Sequence, residues 1–403
     1  MKQKLVASSP LLILLLFAVF MALSVFTVVP SVLFDEWVYS NAATTDPGSV
    51  PTASYLYTFV YSIVNLAPAP HHYQLALLIN VFFWAVQAFA VYRLARLALG
   101  VGESLVATSM VSLFSMSGWV YVFMPEMMFS ALFFWGLYFV LAYTVEGRGI
   151  WFLLASAAIM GLSATVKVHS LFVLPALLLL IPFGFRRRGI RLAPSFFSLS
   201  GYLAIFIFVK STVGFLVAGP KGLALLGQYQ SAVDNVFSDL FGTVVTEPSD
   251  RVAISGPAGG IYLGVEAPSA ASSADPTQIP GLLLGAFANF GFITLIAFAW
   301  LFLLPFLFEF KGMDGQVTKE WSLFGSVAIV FLNLAALAIG FSVFATLSGD
   351  DHTNRTLFRY AEFIFILLAV FAVALLLRGN PRASSSRLYK ARWIVPASAV
   401  FAA

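Results

Sequence analysis

The stretch LLILLLFAVFMALSVFTVVP, residues 11–30, decides the class of fold. It carries no charge, and it is as long as the ~20 apolar residues a helix needs to cross a bilayer. Asp35 and Glu36 follow it directly, at the mouth of a long loop. Before it stands MKQKLVASSP, a short basic start. The apolar run is longer than the about 7–15 residues of a secretory core and lacks a convincing small-x-small cleavage site. It is therefore expected to remain as a signal anchor with a cytosolic N-terminus.

The rest of the chain has the same character. Its 403 residues are 60% hydrophobic and 10% charged, with a mean hydropathy of +0.93. Soluble domains carry about 25% charged residues, so an integral membrane protein is implied. Forty-two Phe and eight Trp suit helices packed in lipid. The alternating segments of about ten residues that mark an outer-membrane barrel are not visible. The expected class is an all-α, polytopic membrane protein forming one transmembrane domain over residues 1–403. With no cysteine, disulfides, thiolate metal sites and a cysteine nucleophile are excluded. A pI near 9.2 does not call for a nucleic-acid partner, because the basic residues sit in short clusters between apolar runs and so report orientation.

Apolar runs fall at 11–32, 73–92, 104–124, 126–145, 150–166, 168–185, 194–217, 281–308, 320–346 and 357–377. That predicts ten spans, and an eleventh begins at Trp393. The chain ends soon after, at Ala403, which is expected of either a short product or the front of a longer protein. With the N-terminus inside, 16 of the 22 Lys and Arg lie in inner segments and 13 of the 18 Asp and Glu lie outside. One topology thus satisfies both signs of charge.

Two outer loops are long. The first, 33–72, holds PTASYLYTFVYSIVNLAPAP (51–70), an aromatic stretch bounded by prolines. A crossing there would invert every later loop, so an interfacial helix is predicted, with Tyr55, Tyr57 and Tyr61 at headgroup level. The second loop, 218–280, is rich in Gly, Ala, Ser, Pro and Asp and reads as a flexible cover over the outer face. No internal repeat is visible, nor a matched pair of broken helices of the transporter kind.

Ionisable groups at membrane depth cost roughly 2.5–3.5 kcal/mol each, so their places are informative. Asp35 and Glu36 leave the first span, and Glu126 follows Pro125 at the head of the fourth. Lys167 and His169 interrupt the apolar stretch between spans five and six. Asp350, Asp351, His352, Arg355, Arg359 and Glu362 cap span ten. Four separated segments deliver acids, bases and cations to one outer layer. Each also has a plainer reading. Adjacent acids in a loop are commonly only solvated, and Glu126 would be favoured by the dipole at a helix start. Lys167 could snorkel to the interface. His169 and His352 would serve as hydrogen-bonded structural groups, and Glu362 would satisfy Arg359 three residues away. Walker, dinucleotide, HExxH and GxSxG signatures are missing, which argues against a cytosolic nucleotide donor.

The pattern resembles the GT-C superfamily, multi-spanning glycosyltransferases that use polyprenyl-phosphate-linked sugars. Phe34-Asp35-Glu36 is similar to the Phe-Asp-Glu start of the first loop in protein O-mannosyltransferases, and aminoarabinose-transferase-like families belong to the same group. Pro125-Glu126 ahead of a span is similar to a second outer acidic position. GLSATVKVHSLFVLP (161–175) resembles a Gly-Leu…Lys…Leu-Pro region, and Arg359-Tyr360 with Glu362 resembles an Arg-Tyr element opening a late span. The matches are short, and against larger members the 403 residues are expected to lack the soluble C-terminal domain and one or more final helices.

The resemblance implies inverting transfer of a sugar at the outer face of a bacterial inner membrane. Asp35, or Glu36, would act as base. Glu126 would orient the acceptor or a cation, and Arg359, Arg355 and Lys167 would receive the donor phosphate, with His352, Glu362 and His169 in support. The partners would be a polyprenyl-phosphate-linked sugar, a glycan, lipid or protein acceptor, and membrane lipid. A cofactor is not demanded; a divalent cation, if used, would sit on Asp35, Glu36 and Glu126, since hard cations prefer oxygen. The alternatives are a transporter or flippase of lipid-linked saccharides, which would carry mid-depth charges on both halves, and a non-catalytic or truncated relative acting as an assembly subunit.

Overall fold

A computed structural model of the chain describes residues 2–224, apart from 29–33, 45–53, 98, 115–116 and 188–192. The described residues are helical or lie in short connections. Helix α1 (Lys2–Ser24) ends in a 3-10 turn, Val25–Thr27. Two short helices follow, α2 (Phe34–Thr44) and α3 (Tyr55–Tyr61), the latter running on into a 3-10 turn, Ser62–Leu66. Then come α4 (His72–Ala95), α5 (Val101–Phe114), α6 (Glu126–Glu146), α7 (Ile150–Val166), α8 (His169–Arg187) and α9 (Ala193–Ala218).

Three segments are long and apolar enough to cross a bilayer: Ala69–Ala95, Glu126–Glu146 and Pro194–Leu223. Helix α7, with 17 residues, rises about 25 Å, at the short end of what a crossing needs. The apolar surface points outward. Phe82 on α4 and Phe196, Phe197, Phe208 and Leu216 on α9 are all exposed, a face suited to lipid.

Local chemistry explains the corners. Helix α6 ends at Gly147, whose φ of 72° is open to a residue without Cβ. The Gly147 and Arg148 N–H groups both return to the Ala142 carbonyl. Gly149 then starts α7, so the two helices turn back on one another within three residues. Between α7 and α8 the chain is extended at Lys167, and the Lys167 N–H closes the end of α7 on the Ser163 carbonyl.

Small residues allow the helices to approach closely. A Cβ on Gly136 would stand 2.5 Å from Met160 Sδ, and one on Gly161 would stand 2.8 Å from the Phe206 carbonyl oxygen. Ser156 Oγ donates to the Gly136 carbonyl at 2.7 Å, tying α7 to α6. Cross-helix bonds fix the directions. Ser130 donates to Gln87 and, about two turns further along both helices, Tyr138 accepts from Arg93, so α4 and α6 run parallel and α5 makes the return connection in the chain. The starts of α4, α6 and α8 and the ends of α5, α7 and α9 therefore share one end of the bundle. Arg93, Arg96 and Arg148 mark the other.

One expectation is corrected here. Within the segment 33–72 the Asp35-Glu36 pair opens α2, and the aromatic stretch 51–70 holds α3 and its 3-10 turn. The run 104–124 is not one helix. Helix α5 begins earlier, at Val101, and ends at Phe114, and a 3-10 turn covers Ser117–Tyr121. Asn80 explains the break, because its side-chain amide takes the carbonyls of Val120 at 3.1 Å and Val122 at 2.7 Å, which a helix would have used internally. Most of the loop 218–280 and the runs from 281 onward lie outside the described residues.

Candidate functional site

The segment between α5 and α6 organises the polar end of the bundle. Asn80 holds its carbonyls from below, and Tyr73 donates to the Tyr121 carbonyl at 3.0 Å. Ser24 at the end of α1 meets the Tyr121 hydroxyl at 2.7 Å. With its carbonyls so fixed, the segment turns the Phe123 N–H inward. Glu36 Oε1 accepts that N–H at 2.6 Å, a short, charge-assisted bond. Glu36 is only 2% exposed.

Three residues on, Glu126 begins α6 immediately after Pro125. It is as buried as Glu36, and Lys167 Nζ donates to its Oε1 at 2.8 Å. Each charge sits where a helix dipole favours it: the carboxylate at the start of α6, the ammonium just past the end of α7. Glu126 Oε2 is buried and has no hydrogen-bond partner among the described residues.

Helix α3 covers this pair of carboxylates with aromatic rings. Tyr57 and Tyr61 are fully buried, their ring centroids 4.1 Å apart, and Phe123 packs on both. The Tyr61 hydroxyl donates to Asn80 Oδ1. The Tyr57 hydroxyl is buried with no hydrogen-bond partner among the described residues. Burial holds the Tyr57 hydroxyl well above the ordinary tyrosine range, and repulsion from Tyr61, Glu126, Tyr39 and Glu36 adds to it. Burial, then Glu126, does the same to Tyr61. Both hydroxyls stay neutral donors at any physiological pH. Phe123, whose N–H Glu36 accepts, packs on both tyrosine rings and stands three residues before Glu126, which ties the two acids to one segment.

The expected site residues divide as follows. Glu36, Glu126 and Lys167 come together in this layer. Asp35 stands beside Glu36 in the first turn of α2, and His169 opens α8 two residues after Lys167; the side chains of both lie outside the described ones. His352, Arg355, Arg359 and Glu362 lie wholly outside the described residues. Among the described residues, no group of three or more His, Asp or Glu could hold a metal ion.

Tyr57 and Asn80 were not singled out from sequence as site residues. A signal for Asn80 exists: with Gln87 it forms an i, i+7 polar pair on one face of an apolar helix, where buried amides are rare and must find partners. Tyr57 gave no such signal, since a tyrosine at headgroup level is ordinary.

Chemically, the layer combines two desolvated carboxylates, an ammonium and a neutral phenol within a water-poor shell. Such a set can take a proton from a hydroxyl and offer positive charge to a phosphate. No protein-family model, curated protein or solved structure matches this chain.

Proposed function

We propose that the chain is a glycosyltransferase that moves a sugar from a polyprenyl-phosphate donor to an acceptor hydroxyl, with inversion. It works at the extracytoplasmic face of a bacterial inner membrane. In this reading the whole protein has ten or eleven spans, its N-terminus is cytoplasmic and α2 and α3 lie in the outer interface. The observation that carries the reading is the meeting of Glu36, Glu126 and Lys167, from three separate segments, in one buried polar layer at the acid-bearing end of the bundle.

The Asp35-Glu36 pair supplies the base, with Glu36 held in place by the Phe123 N–H. The carboxylate takes the proton of the acceptor hydroxyl. The freed oxygen bonds to the anomeric carbon, and the bond from that carbon to the phosphate oxygen breaks, releasing polyprenyl phosphate. Lys167, with Arg355 and Arg359, meets the charge that builds on the leaving phosphate. Glu126 holds Lys167 and keeps one oxygen for the acceptor. The apolar exterior lets the prenyl tail approach from lipid.

The test uses the full chain in proteoliposomes with a polyprenyl-phosphate sugar and a saccharide acceptor. Loss of a general base costs about 10²–10⁴-fold in rate. Asp35→Asn or Glu36→Gln should show a loss of that size with folding intact, and the more severe of the two identifies the base. Full turnover in both would overturn the assignment.

A further inference from the structure

Against α2 lies a cleft of about 320 Å³ that the proposed chemistry does not use. One wall is a single face of that helix: Trp37, Ser40, Asn41 and Thr44 follow at steps of three, one and three residues. The other wall is His72 and Tyr73 at the start of α4. Phe123 forms the floor, and its N–H is the group that holds Glu36. The cleft therefore shares Phe123 with the bond that holds Glu36.

Its lining is specific in kind. Among the described residues no carboxylate, ammonium or guanidinium lines it; its polar groups are hydroxyls, the Asn41 amide, the Trp37 indole N–H and the His72 imidazole. Trp37 is 43% exposed and forms a broad apolar plate. Around it stand hydroxyls whose own protons are spent: Ser40 donates to the Trp37 carbonyl at 3.1 Å, Thr44 to the Ser40 carbonyl at 2.9 Å and Tyr73 to the Tyr121 carbonyl at 3.0 Å. The Ser40 and Thr44 oxygens keep lone pairs that can act as acceptors. An aromatic plate ringed by acceptors suits a neutral ring with C–H groups on its face and O–H donors at its edge. Small-ligand pockets span about 300–1,000 Å³, and this one is at the small end, with room for one or two such rings.

The geometry points to this cleft as the acceptor subsite, and to the acceptor as a neutral saccharide stacked on Trp37 with a hydroxyl directed toward the Asp35-Glu36 pair. The assignment rests on the transfer reading for its purpose, but binding is measured without donor and so fails or stands separately.

The experiment is saturation-transfer NMR on the full-length protein in micelles. The probes are methyl α-glucoside, methyl α-mannoside and methyl α-galactoside. At least one should receive saturation at its ring protons. Trp37→Ala should weaken that binding about tenfold, while Trp37→Phe, which keeps a plate, should retain most of it. Asn41→Leu, at an exposed position, should also weaken it and serves if Trp37→Ala does not fold. Binding by none of the probes, or equal binding by wild type, Trp37→Ala and Asn41→Leu, overturns the assignment. Saccharide binding alongside full transfer by Asp35→Asn and Glu36→Gln would sink the base assignment and leave the subsite standing.

Discussion

Removing one member of the Glu126–Lys167 pair should destabilise the protein far more than removing both. The partners are 2.8 Å apart, and their side chains are 3% and 10% exposed. Water cannot rescue the survivor of a single substitution, and an uncompensated buried charge costs about 3–5 kcal/mol. Lys167→Met is the harsher case, because it leaves both Glu126 oxygens without the ammonium and Oε2 already has no hydrogen-bond partner among the described residues. Glu126→Gln is milder, since the amide oxygen can still accept from Lys167. At roughly 2–4 °C per kcal/mol, the single variants should melt about 6–20 °C below wild type in detergent. The double variant Glu126→Gln/Lys167→Met buries no charge at this place and should recover most of the loss, so that its deficit is smaller than that of either single variant. A double variant whose deficit equals the sum of the single deficits would refute the claim that the two charges act as a buried pair.

Three further outcomes follow from the same geometry. Glu36→Ala strands the buried Phe123 N–H, at a cost of about 1–3 kcal/mol, whereas Glu36→Gln keeps an acceptor there; melting should separate the two even if both abolish transfer. Burial holds Tyr57 and Tyr61 above the unfolded tyrosine value of about 10, so their contribution is fully present below that pH. Above it the unfolded chain sheds protons that the folded chain keeps, and stability falls as pH rises. Melting curves from pH 8 to 11 should show the decline, with a shallower slope in Tyr57→Phe. Gly161→Ala would put a Cβ 2.8 Å from the Phe206 carbonyl oxygen and force α7 from α9, costing about 1–3 kcal/mol; an unchanged melting point would show that the contact has slack.

Helices with unbroken apolar stretches were easy to read. The runs at 126–145, 150–166 and 194–217 coincide within a residue or so with α6, α7 and α9, because each is closed by glycine, proline or a charged residue. Helix α2 was hidden. Its sequence, FDEWVYSNAAT, mixes charge, aromatics and small polar residues, and its Glu36 is fastened to a residue 87 positions away. The end of α5 was hidden for the same reason. Residues 117–124 are apolar enough to continue a helix, but Asn80 and Tyr73, distant in sequence, draw their carbonyls elsewhere.

The site was half legible. Glu36, Glu126 and Lys167 stood out because charge beside apolar runs is costly. Their mutual arrangement did not, because nothing in local sequence says that Lys167 reaches Glu126 or that Glu36 is fastened to a backbone N–H. The Trp37 face of α2 is periodic in retrospect, but four residues at helical spacing in so short an element carry little weight before the opposite wall is known.

The charge-free double variant Glu126→Gln/Lys167→Met also provides the most direct test of whether this polar layer exists for chemistry. Once its recovered melting point is established, release of polyprenyl phosphate and glycosylation of a saccharide acceptor should be measured beside wild type in proteoliposomes. A folded variant with transfer reduced at least about a hundredfold is the expected result. Wild-type turnover by that variant would mean that the pair serves only to hold the helices together, and the catalytic account would be wrong.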